Sequence, residues 1–339
     1  MNELLYSPVK RALTNYPYIE DYFEALGLLD FGKKTEETIE EYITGLNETR
    51  LEEDGFNKEI LIENLLIFIE KMELLKKKKN SIESLTIIGG YNKNGEKENI
   101  NLTIKKGSII SIVGPTGSGK SRLLSDIECL SQGDTQTGRN ILVNGVCPKN
   151  EERFSIENKL IAQLSQNMNF VMDLPVRDFL RLHGESRMIN NIEETVETII
   201  QHANKLAGEK FTGDTPLTQL SGGQSRALMI ADTALLSASP IVLIDEIENA
   251  GVDRKEALNL LVKKEKIVLM STHDPILALM GEKRIIIENG GIKKIIETTE
   301  KERENLLLLE KLDIYLLDLR NMLRKGELID FPIKDVLGG

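Results

Sequence analysis

The sequence has few residues of the types that build metal sites and membrane spans. Its 339 residues include no tryptophan, three histidines and two cysteines. Cys129 and Cys147 are too far apart for a CxxC site and have no histidine close in sequence, so both are interpreted as structural thiols. The longest apolar stretches, such as 65–69 and 241–244, fall far short of the ~18 residues that a membrane-spanning helix needs.

The sequence also shows no excess of positive charge and no pattern typical of a secretory leader. The chain has 43 lysines and arginines against 54 acidic residues, which gives a formal net charge of -11. Such a composition is poorly suited to neutralising a phosphate backbone, and this argues against a nucleic-acid partner. The first twenty residues lack a positively charged opening followed by an apolar core, so we expect a cytoplasmic location.

Length and apolar periodicity predict two unequal parts followed by a short extension. In residues 1–80 apolar side chains recur three and four positions apart, which predicts a helical accessory domain. From 81 to 297 short β-rich runs alternate with helical stretches, which predicts an α/β sheet, and Asn289-Gly290-Gly291 predicts a hairpin turn. Residues 298–339 carry leucines among alternating charges and predict a C-terminal helix whose apolar side packs on its own domain.

A glycine-rich segment follows the apolar run 109–113 and precedes a helical pattern. It matches the P-loop pattern GxxxxGK[ST] and consists of Gly114, Pro115, Thr116, Gly117, Ser118, Gly119, Lys120 and Ser121. The glycines allow consecutive backbone N–H groups to point at a phosphate chain, and the helix start adds its positive dipole. Lys120 is expected to neutralise the β- and γ-phosphates, and the Ser121 hydroxyl to bind Mg²⁺.

Two acidic residues end a second apolar run, 241–244, in the pattern known as Walker B. Asp245 at the strand end can hold the Mg²⁺ shell. Glu246, one residue later, can polarise the water that attacks the γ-phosphate. Together with the P-loop this pair predicts hydrolysis of a nucleoside triphosphate, but it leaves many classes of P-loop NTPase open.

The segment Leu220-Ser221-Gly222-Gly223-Gln224 narrows the class. It resembles the LSGGQ signature of the ATP-binding cassette (ABC) ATPase superfamily, which begins a helix facing the γ-phosphate held by the other cassette of a dimer. Ser221 can cap this helix and donate to phosphate, and the glycines admit close approach of the ligand. The resemblance implies that ATP and Mg²⁺ are the cofactors and that the partner is a second cassette in a homodimer.

The same resemblance implies roles for three more positions. His273 would contact the γ-phosphate and orient the attacking water. Gln166 would reach Mg²⁺ and link the catalytic core to the helical subdomain, with Gln163 as a competing candidate. Tyr91 would stack on adenine, although a core tyrosine also fits. The expected catalytic residues are therefore Glu246, His273, Lys120 and Gln166. The expected Mg²⁺ ligands are Ser121, Gln166 and Asp245. The other expected nucleotide contacts are the P-loop, Tyr91, Arg122, Ser221, Gly222, Gly223 and Gln224.

Two positions depart from the usual family pattern. The D-loop segment Asn249–Asp253 is one residue longer than the usual spacing after the catalytic glutamate, which weakens the assignment of Asp253. Ile247 follows Glu246 where most transporter cassettes have proline. This departure makes the Walker B segment resemble that of the Suf iron–sulfur assembly ATPase more than that of importers.

The resemblance implies a fold and two possible functions. The expected fold is α/β: a P-loop NTPase ABC cassette with a RecA-like core, an antiparallel β subdomain and a helical signature subdomain, extended by a small all-α domain and a C-terminal helix. The extra domain, the C-terminal helix and Ile247 favour ATP-gated work on a cytosolic partner, for example in metallocofactor assembly or enzyme reactivation. The 55-position gap from Gln166 to Ser221 favours the alternative, the energy-coupling subunit of an ABC transporter with a permease partner.

Overall fold

The chain divides into two compact units, residues 1–80 and 81–339. The computed structural model describes residues 2–28, 30–34, 36–46, 57–77, 82–154, 159–165, 170–187, 189, 191–246 and 252–331. Among these residues no helix combines the length and the apolar character that spanning a membrane requires.

Helices are the regular elements in the described part of the first unit. Thr38 begins one of them with a capping box: its hydroxyl accepts from the Glu41 N–H at 3.1 Å, and the Glu41 carboxylate accepts from the Thr38 N–H at 2.9 Å. The helices are α1 (Asn2–Leu5), α2 (Val9–Asn15), α3 (Tyr18–Ala25), α4 (Ile39–Thr44) and α5 (Lys58–Lys77), with a 3₁₀ turn at Phe31–Lys33.

This unit has an apolar core of its own. Leu61, Leu65 and Ile69 lie four residues apart on one face of α5 and are buried, as their spacing predicts. Phe23 and Phe31 stack with their ring centroids 4.1 Å apart. Aromatic and aliphatic side chains from different helices thus form one core within this unit.

The second unit contains two sheets. A three-stranded antiparallel sheet has the order β2–β1–β4, and a six-stranded sheet has the order β5–β6–β7–β3–β8–β9, in which only β9 is antiparallel to its neighbour. The strands are β1 (Ser84–Ile88), β2 (Asn101–Lys105), β3 (Ile109–Val113), β4 (Asn140–Val143), β5 (Ile161–Leu164), β6 (Ile241–Asp245), β7 (Ile267–Ser271), β8 (Lys283–Glu288) and β9 (Gly291–Glu297).

The predicted hairpin joins β8 to β9. Asn289 and Gly290 have φ values of 50° and 80°, the left-handed conformation that a tight two-residue turn requires. The alternation of strands and helices that the sequence predicts is also present. The helices of this unit are α6 (Lys120–Glu128), α7 (Asn150–Arg153), α8 (Val176–Ser186), α9 (Ile192–Leu206), α10 (Gly222–Leu235), α11 (Arg254–Lys263), α12 (Pro275–Met280) and α13 (Glu300–Arg324).

Two apolar cores hold the second unit together. One joins the antiparallel sheet to one face of the larger sheet and to α6, and includes Ile87, Ile112 and Leu123. The other lies on α8–α11 and reaches β6 and β7, and includes Ile199 and Leu228. The helices α8–α10 thus form a subdomain that packs on the sheet separately from α6.

The C-terminal helix α13 differs from expectation. All 25 of its residues are described and none is fully buried, but Leu306 and Leu309 are half-buried, so its apolar side packs on its own domain only in part. Polar pairs also attach the helix to the cassette: Glu310 pairs with Lys255 and Asp313 with Arg254. Most of its other apolar residues lie on the remaining faces of the helix and are exposed.

Lys266 is a buried cation just before β7. Its ammonium donates to the carbonyl oxygens of Ser237 and Ser239, each at 2.7 Å, and the residue is 7% exposed. Burial, with a smaller contribution from Arg187, lowers the pKa of Lys266 from 10.5 to about 8. The unfolded chain therefore binds a proton more tightly than the folded one.

We predict a pH-dependent penalty from Lys266. Because the pKa of Lys266 is depressed in the folded protein, its buried positive charge lowers the free energy of unfolding. This loss of stability is complete below pH 8 and diminishes as the pH rises toward 10.5. The free energy of unfolding of the wild type should rise by about 2 kcal/mol relative to Lys266→Met between pH 7 and pH 10. Urea unfolding at pH 7, 8.5 and 10 measures this difference. The exposed neighbour variant Lys264→Met is the control, and parallel pH curves for wild type and Lys266→Met would contradict the prediction.

Candidate nucleotide-binding site

Three parallel strands end side by side at one edge of the large sheet. In the register of β6, β7 and β3, Asp245 pairs with Ser271, and Ser271 pairs with Ile112. Because parallel strands present their carboxyl ends at the same edge, the segments that follow these strands are neighbours. The Walker B acids, His273 and the P-loop therefore lie close together although they are far apart in sequence.

The P-loop is packed so closely that two positions admit only glycine. A Cβ atom on Gly114 would come within 2.4 Å of the Ile287 carbonyl oxygen. Gly119 has a φ of 111°, and a Cβ there would come within 2.8 Å of Gly290 Cα. The Gly290 N–H donates to the Ser118 carbonyl at 2.7 Å. The β8–β9 hairpin therefore fixes the outer side of the loop.

The structure brings three of the predicted catalytic side chains together. The Lys120 ammonium donates to the carbonyl oxygens of Gly114 at 2.9 Å and Pro115 at 3.3 Å. It also lies 3.0 Å from Nε2 of His273, which in turn lies 3.7 Å from a carboxylate oxygen of Glu246. A cation, an imidazole and a carboxylate thus form a chain beside the P-loop.

Glu246 has an unusual backbone conformation. Its φ is 50°, a left-handed value that a residue with a Cβ adopts at a cost of about 1 kcal/mol or more. The Glu246 N–H donates to the Ser271 carbonyl at 3.0 Å, which holds the strained turn against β7. The turn thus places the Glu246 carboxylate beside His273.

The polar groups of the loop suit a polyphosphate. Ser118 Oγ is buried and has no hydrogen-bond partner among the described residues. The N–H groups of Lys120 and Ser121, at the start of α6, have no intrahelical acceptor because they belong to the first turn. Unsatisfied donors at a helix start are the groups that bind phosphate oxygens.

The residues available for Mg²⁺ are few, as is usual for this ion. The described residues hold no group of three or more His, Cys, Asp or Glu side chains that could bind a metal. Mg²⁺ in nucleotide sites is commonly held by one or two protein ligands together with phosphate oxygens. Ser121, in the first turn of α6, and Asp245, at the end of β6, supply the hydroxyl and carboxylate oxygens that such a site requires.

The signature segment starts α10. The Ser221 hydroxyl accepts from the Gln224 N–H at 3.3 Å, and the Gln224 amide oxygen accepts from the Ser221 N–H at 2.8 Å. This capping box leaves the hydroxyl hydrogen of Ser221 available for donation. Ser221 and Gly222 are exposed and Gly223 half-buried, so the helix start is open to an approaching ligand.

Tyr91 is accessible rather than part of the core. Its ring lies against Gly138, where a Cβ would be 3.3 Å from the ring, and the residue is 50% exposed. Such a ring can stack on a base.

Arg122, a predicted nucleotide contact, is in the first turn of α6, but its guanidinium donates to the Gln136 side chain at 2.6 Å.

Some predicted residues lie outside the described part of the chain, namely Gln166, Ile247 and 249–251. The competing candidate Gln163 lies in β5, and its amide nitrogen donates to the Glu128 carboxylate at 2.7 Å in the orientation that satisfies both amide atoms. This contact engages the Gln163 amide, and the role of Gln166 stays a prediction. Asp253 caps α11 by accepting from the Glu256 N–H at 3.0 Å.

Known proteins resemble this chain in sequence and in fold. The family model described as ABC transporter matches residues 97–249. An uncharacterised ABC transporter ATP-binding protein of Methanocaldococcus jannaschii is 55% identical over 247 residues, which cover 73% of this chain and 94% of the relative. This chain belongs to the ABC transporter ATPase family. It is therefore an ATP-binding, ATP-hydrolysing cassette.

Two further similarities are consistent with this membership. The zinc import ATP-binding protein ZnuC of Wolbachia pipientis is 27% identical over 240 residues, covering 69% of this chain and 89% of that protein. A solved ATP-binding subunit of an ABC transporter has the same fold, with a TM-score of 0.51 at 19% identity over 65% of this chain and 92% of that chain. The predicted cassette fold is thus confirmed, while the resemblance to Suf-type ATPases gains no support.

A buried polar cluster around Arg139 links several segments of the site. Arg139 is fully buried and donates to Glu98 at 3.0 Å, to Asp126 at 2.8 Å and to the Gly290 carbonyl at 2.9 Å. Burial alone would raise the pKa of Glu98, but the bonds from Arg139 and from the Gly90 N–H outweigh it and lower the pKa. A charged residue beside a short strand is usually exposed, so no pattern marks this cluster.

Lys93 is a second residue that the motifs do not mark. Its ammonium donates to the Gly117 carbonyl at 3.4 Å, and its N–H donates to the Asn289 carbonyl at 3.0 Å. The loop that follows Tyr91 therefore contacts both the P-loop and the hairpin. Only its position two residues after Tyr91 could have drawn attention to it.

We predict that Glu246→Gln binds ATP but hydrolyses it about 10²- to 10⁴-fold more slowly, because the amide keeps the shape and loses the basic oxygen. ATP should then trap a closed dimer. A steady-state ATPase assay and size-exclusion chromatography with ATP and Mg²⁺ measure both effects, with the exposed Glu265→Gln as control. Wild-type turnover without a dimer would show that Glu246 is not the catalytic base.

We also predict that Lys120 and Ser221 act on different steps. Lys120→Ala should abolish tight nucleotide binding, because it removes the ammonium that lies on the P-loop. Ser221→Arg should keep binding and lower hydrolysis by at least about tenfold, since one lost donor to developing charge has effects of this order or more. Fluorescent-nucleotide titration and ATPase assays separate the two, with Ser186→Arg on α8 as control. Normal hydrolysis by Ser221→Arg would disprove the signature assignment.

Proposed function

We propose that this chain is the ATP-binding, energy-coupling subunit of an ABC transporter and acts as a homodimer with a permease at the membrane. The observation that carries the proposal is the 55% identity to an ABC transporter ATP-binding protein over 94% of its length. The similarity to a zinc import subunit points the same way. These relatives support the transporter alternative better than the cytosolic machine that the extra domain and Ile247 favour.

The chemistry rests on side chains at the sheet edge. Mg²⁺, held by Ser121 and Asp245, would offset the charge of the triphosphate. Lys120 would exchange its contacts with the Gly114 and Pro115 carbonyls for the phosphates, and Ser118 Oγ would gain a partner. Glu246 and His273 would orient the attacking water between them.

The geometry also supports the pairing of two cassettes. The polar contacts of Gln224 are with Ser221, Glu209 and Lys210, all in the helical subdomain. The Ser221 hydroxyl hydrogen and the open start of α10 would meet phosphate bound to a second copy. ATP would therefore join the cassettes, and hydrolysis would remove the contacts that hold them.

A second candidate is ATP-gated work on a cytosolic protein, and the first unit is the observation that favours it. Residues 1–80 have their own apolar core and none of the motif residues. The Methanocaldococcus relative is shorter than this chain, because the same aligned stretch makes up 94% of it and 73% of this chain. About a quarter of this chain therefore has no counterpart there.

Purification from the source cells tests the two candidates against each other. A transporter subunit should be recovered with membranes, together with a multispanning permease, and residues 81–339 alone should still bring down that permease. A cytosolic machine should be recovered from the soluble fraction with an enzyme, and deletion of residues 1–80 should abolish that association. The truncated protein must retain basal ATPase for the comparison to count. Recovery of a soluble enzyme and no permease would contradict the transporter proposal.

A further inference from the structure

The helix α13 exposes an apolar stripe that the nucleotide site does not use. We define the α13 stripe as five residues spaced four, three, four and three apart: Leu308, Leu312, Tyr315, Leu319 and Met322. Leu308 is 58% exposed, Leu312 40% and Tyr315 39%, while Leu319 and Met322 are half-buried. This spacing is the a/d repeat of a helix that packs along another helix.

The α13 stripe is separate from the face that meets the cassette. Glu302, Glu310 and Asp313 pair with Arg284, Lys255 and Arg254, and these three acidic residues share one side of the helix. At 100° per residue the stripe is centred well over 90° away from that side. A second helix can therefore lie on the stripe without displacing the polar attachment to the cassette.

The charges beside the stripe identify the occupant. Glu304, Lys311 and Asp318 recur every seven residues along one edge of the stripe, and Lys325 continues this repeat as the residue that caps the end of the helix. The four charges alternate in sign. In an antiparallel pair of identical helices that packs Leu312 against Tyr315 of the other copy, Glu304 meets Lys325 and Lys311 meets Asp318. In a parallel pair the same edge would face Leu309, Leu316 and Leu323, which offer no charge.

We infer that the α13 stripe binds the same stripe of a second copy in antiparallel orientation, so that two cassettes are joined without nucleotide. The self-complementary order of charges favours a second copy over an unrelated partner. Pairing also covers the apolar side chains of the α13 stripe, which are otherwise exposed to water. The homodimer would then have an interface that ATP binding does not create and hydrolysis does not remove.

Such an interface changes the kinetics of the nucleotide site. Two cassettes joined through α13 meet each other at a high effective concentration, so ATP-driven closure becomes an intramolecular step. This consequence rests on the ATP-gated pairing proposed above. The interface itself does not, because it forms without ATP.

Sedimentation of the full-length protein tests the interface directly. Nucleotide-free protein, and Lys120→Ala protein, should be dimeric at micromolar concentration. Leu312→Glu should raise the dimer dissociation constant by more than about tenfold, because two charges would be buried against apolar groups. The control Ile314→Glu alters a residue that is also exposed, at 59%, but lies off the stripe, and it should stay dimeric. A wild-type monomer throughout, or equal effects of the two variants, would overturn the inference.

Charge exchange tests the orientation. Lys311→Glu and Asp318→Lys should each weaken the dimer about three- to tenfold, because each breaks two symmetric pairs. The double variant restores opposite charges and should recover the wild-type dissociation constant. Double-variant affinity no better than that of the single variants would contradict antiparallel pairing.

Dilution separates this inference from the proposed function. The specific ATPase activity of Leu312→Glu should fall on dilution to nanomolar concentration, while that of the wild type should fall less. If sedimentation finds the predicted dimer and dilution has no effect on either protein, the α13 interface stands and ATP-gated pairing fails.

Discussion

The buried guanidinium of Arg139 holds together the parts of the nucleotide site that come from different layers. Its three acceptors belong to the segment before β2 (Glu98), to the P-loop helix (Asp126) and to the β8–β9 hairpin (Gly290). Removing one partner of a buried ion pair leaves an uncompensated charge and costs about 3–5 kcal/mol. Independent shifts of the antiparallel sheet, α6 and the hairpin are therefore strongly opposed.

Glu98 extends this cluster to the backbone of the site. Glu98 also accepts from the N–H groups of Gly90 and Ile292, at 3.0 and 2.7 Å, so it sits between the residue before Tyr91 and the start of β9. Gly290 then donates to Ser118 in the P-loop. One polar cluster thus sets the distance between the accessible ring and the phosphate loop. A rigid separation of this kind is what preorganised binding of a base and its phosphates requires.

The phosphate loop and the signature segment nevertheless lie in different parts of the cassette. The P-loop, the Walker B acids and His273 meet at the sheet edge, whereas the signature starts a helix in a different subdomain with Ser221 exposed. In the proposed mechanism a second copy completes the phosphate contacts. If α13 joins two copies, the permanent and the ATP-dependent contacts lie on different elements, and each can be altered without the other. Residues 1–80 form a further unit whose core is independent of both.

Sequence patterns were most informative where chemistry restricts the residue type. Only glycine fits positions 114 and 119, Asn289-Gly290 adopts the predicted turn, and Ser221 and Gln224 form the expected cap. These features are local, so a few neighbouring residues suffice to specify them. The proximity of Lys120, His273 and Glu246 could be expected from the sequence only through the family resemblance, and it depends on the strand order β6–β7–β3.

The cassette, its motifs and the long C-terminal helix are thus predictable from short stretches of sequence, because hydrophobic periodicity and glycine conformation are local properties. The side of α13 that meets the cassette is not, since it depends on where the folded chain places Arg254, Lys255 and Arg284. The burial of Arg139 is likewise not predictable from local sequence, because its charge is compensated by carboxylates from distant segments of the chain.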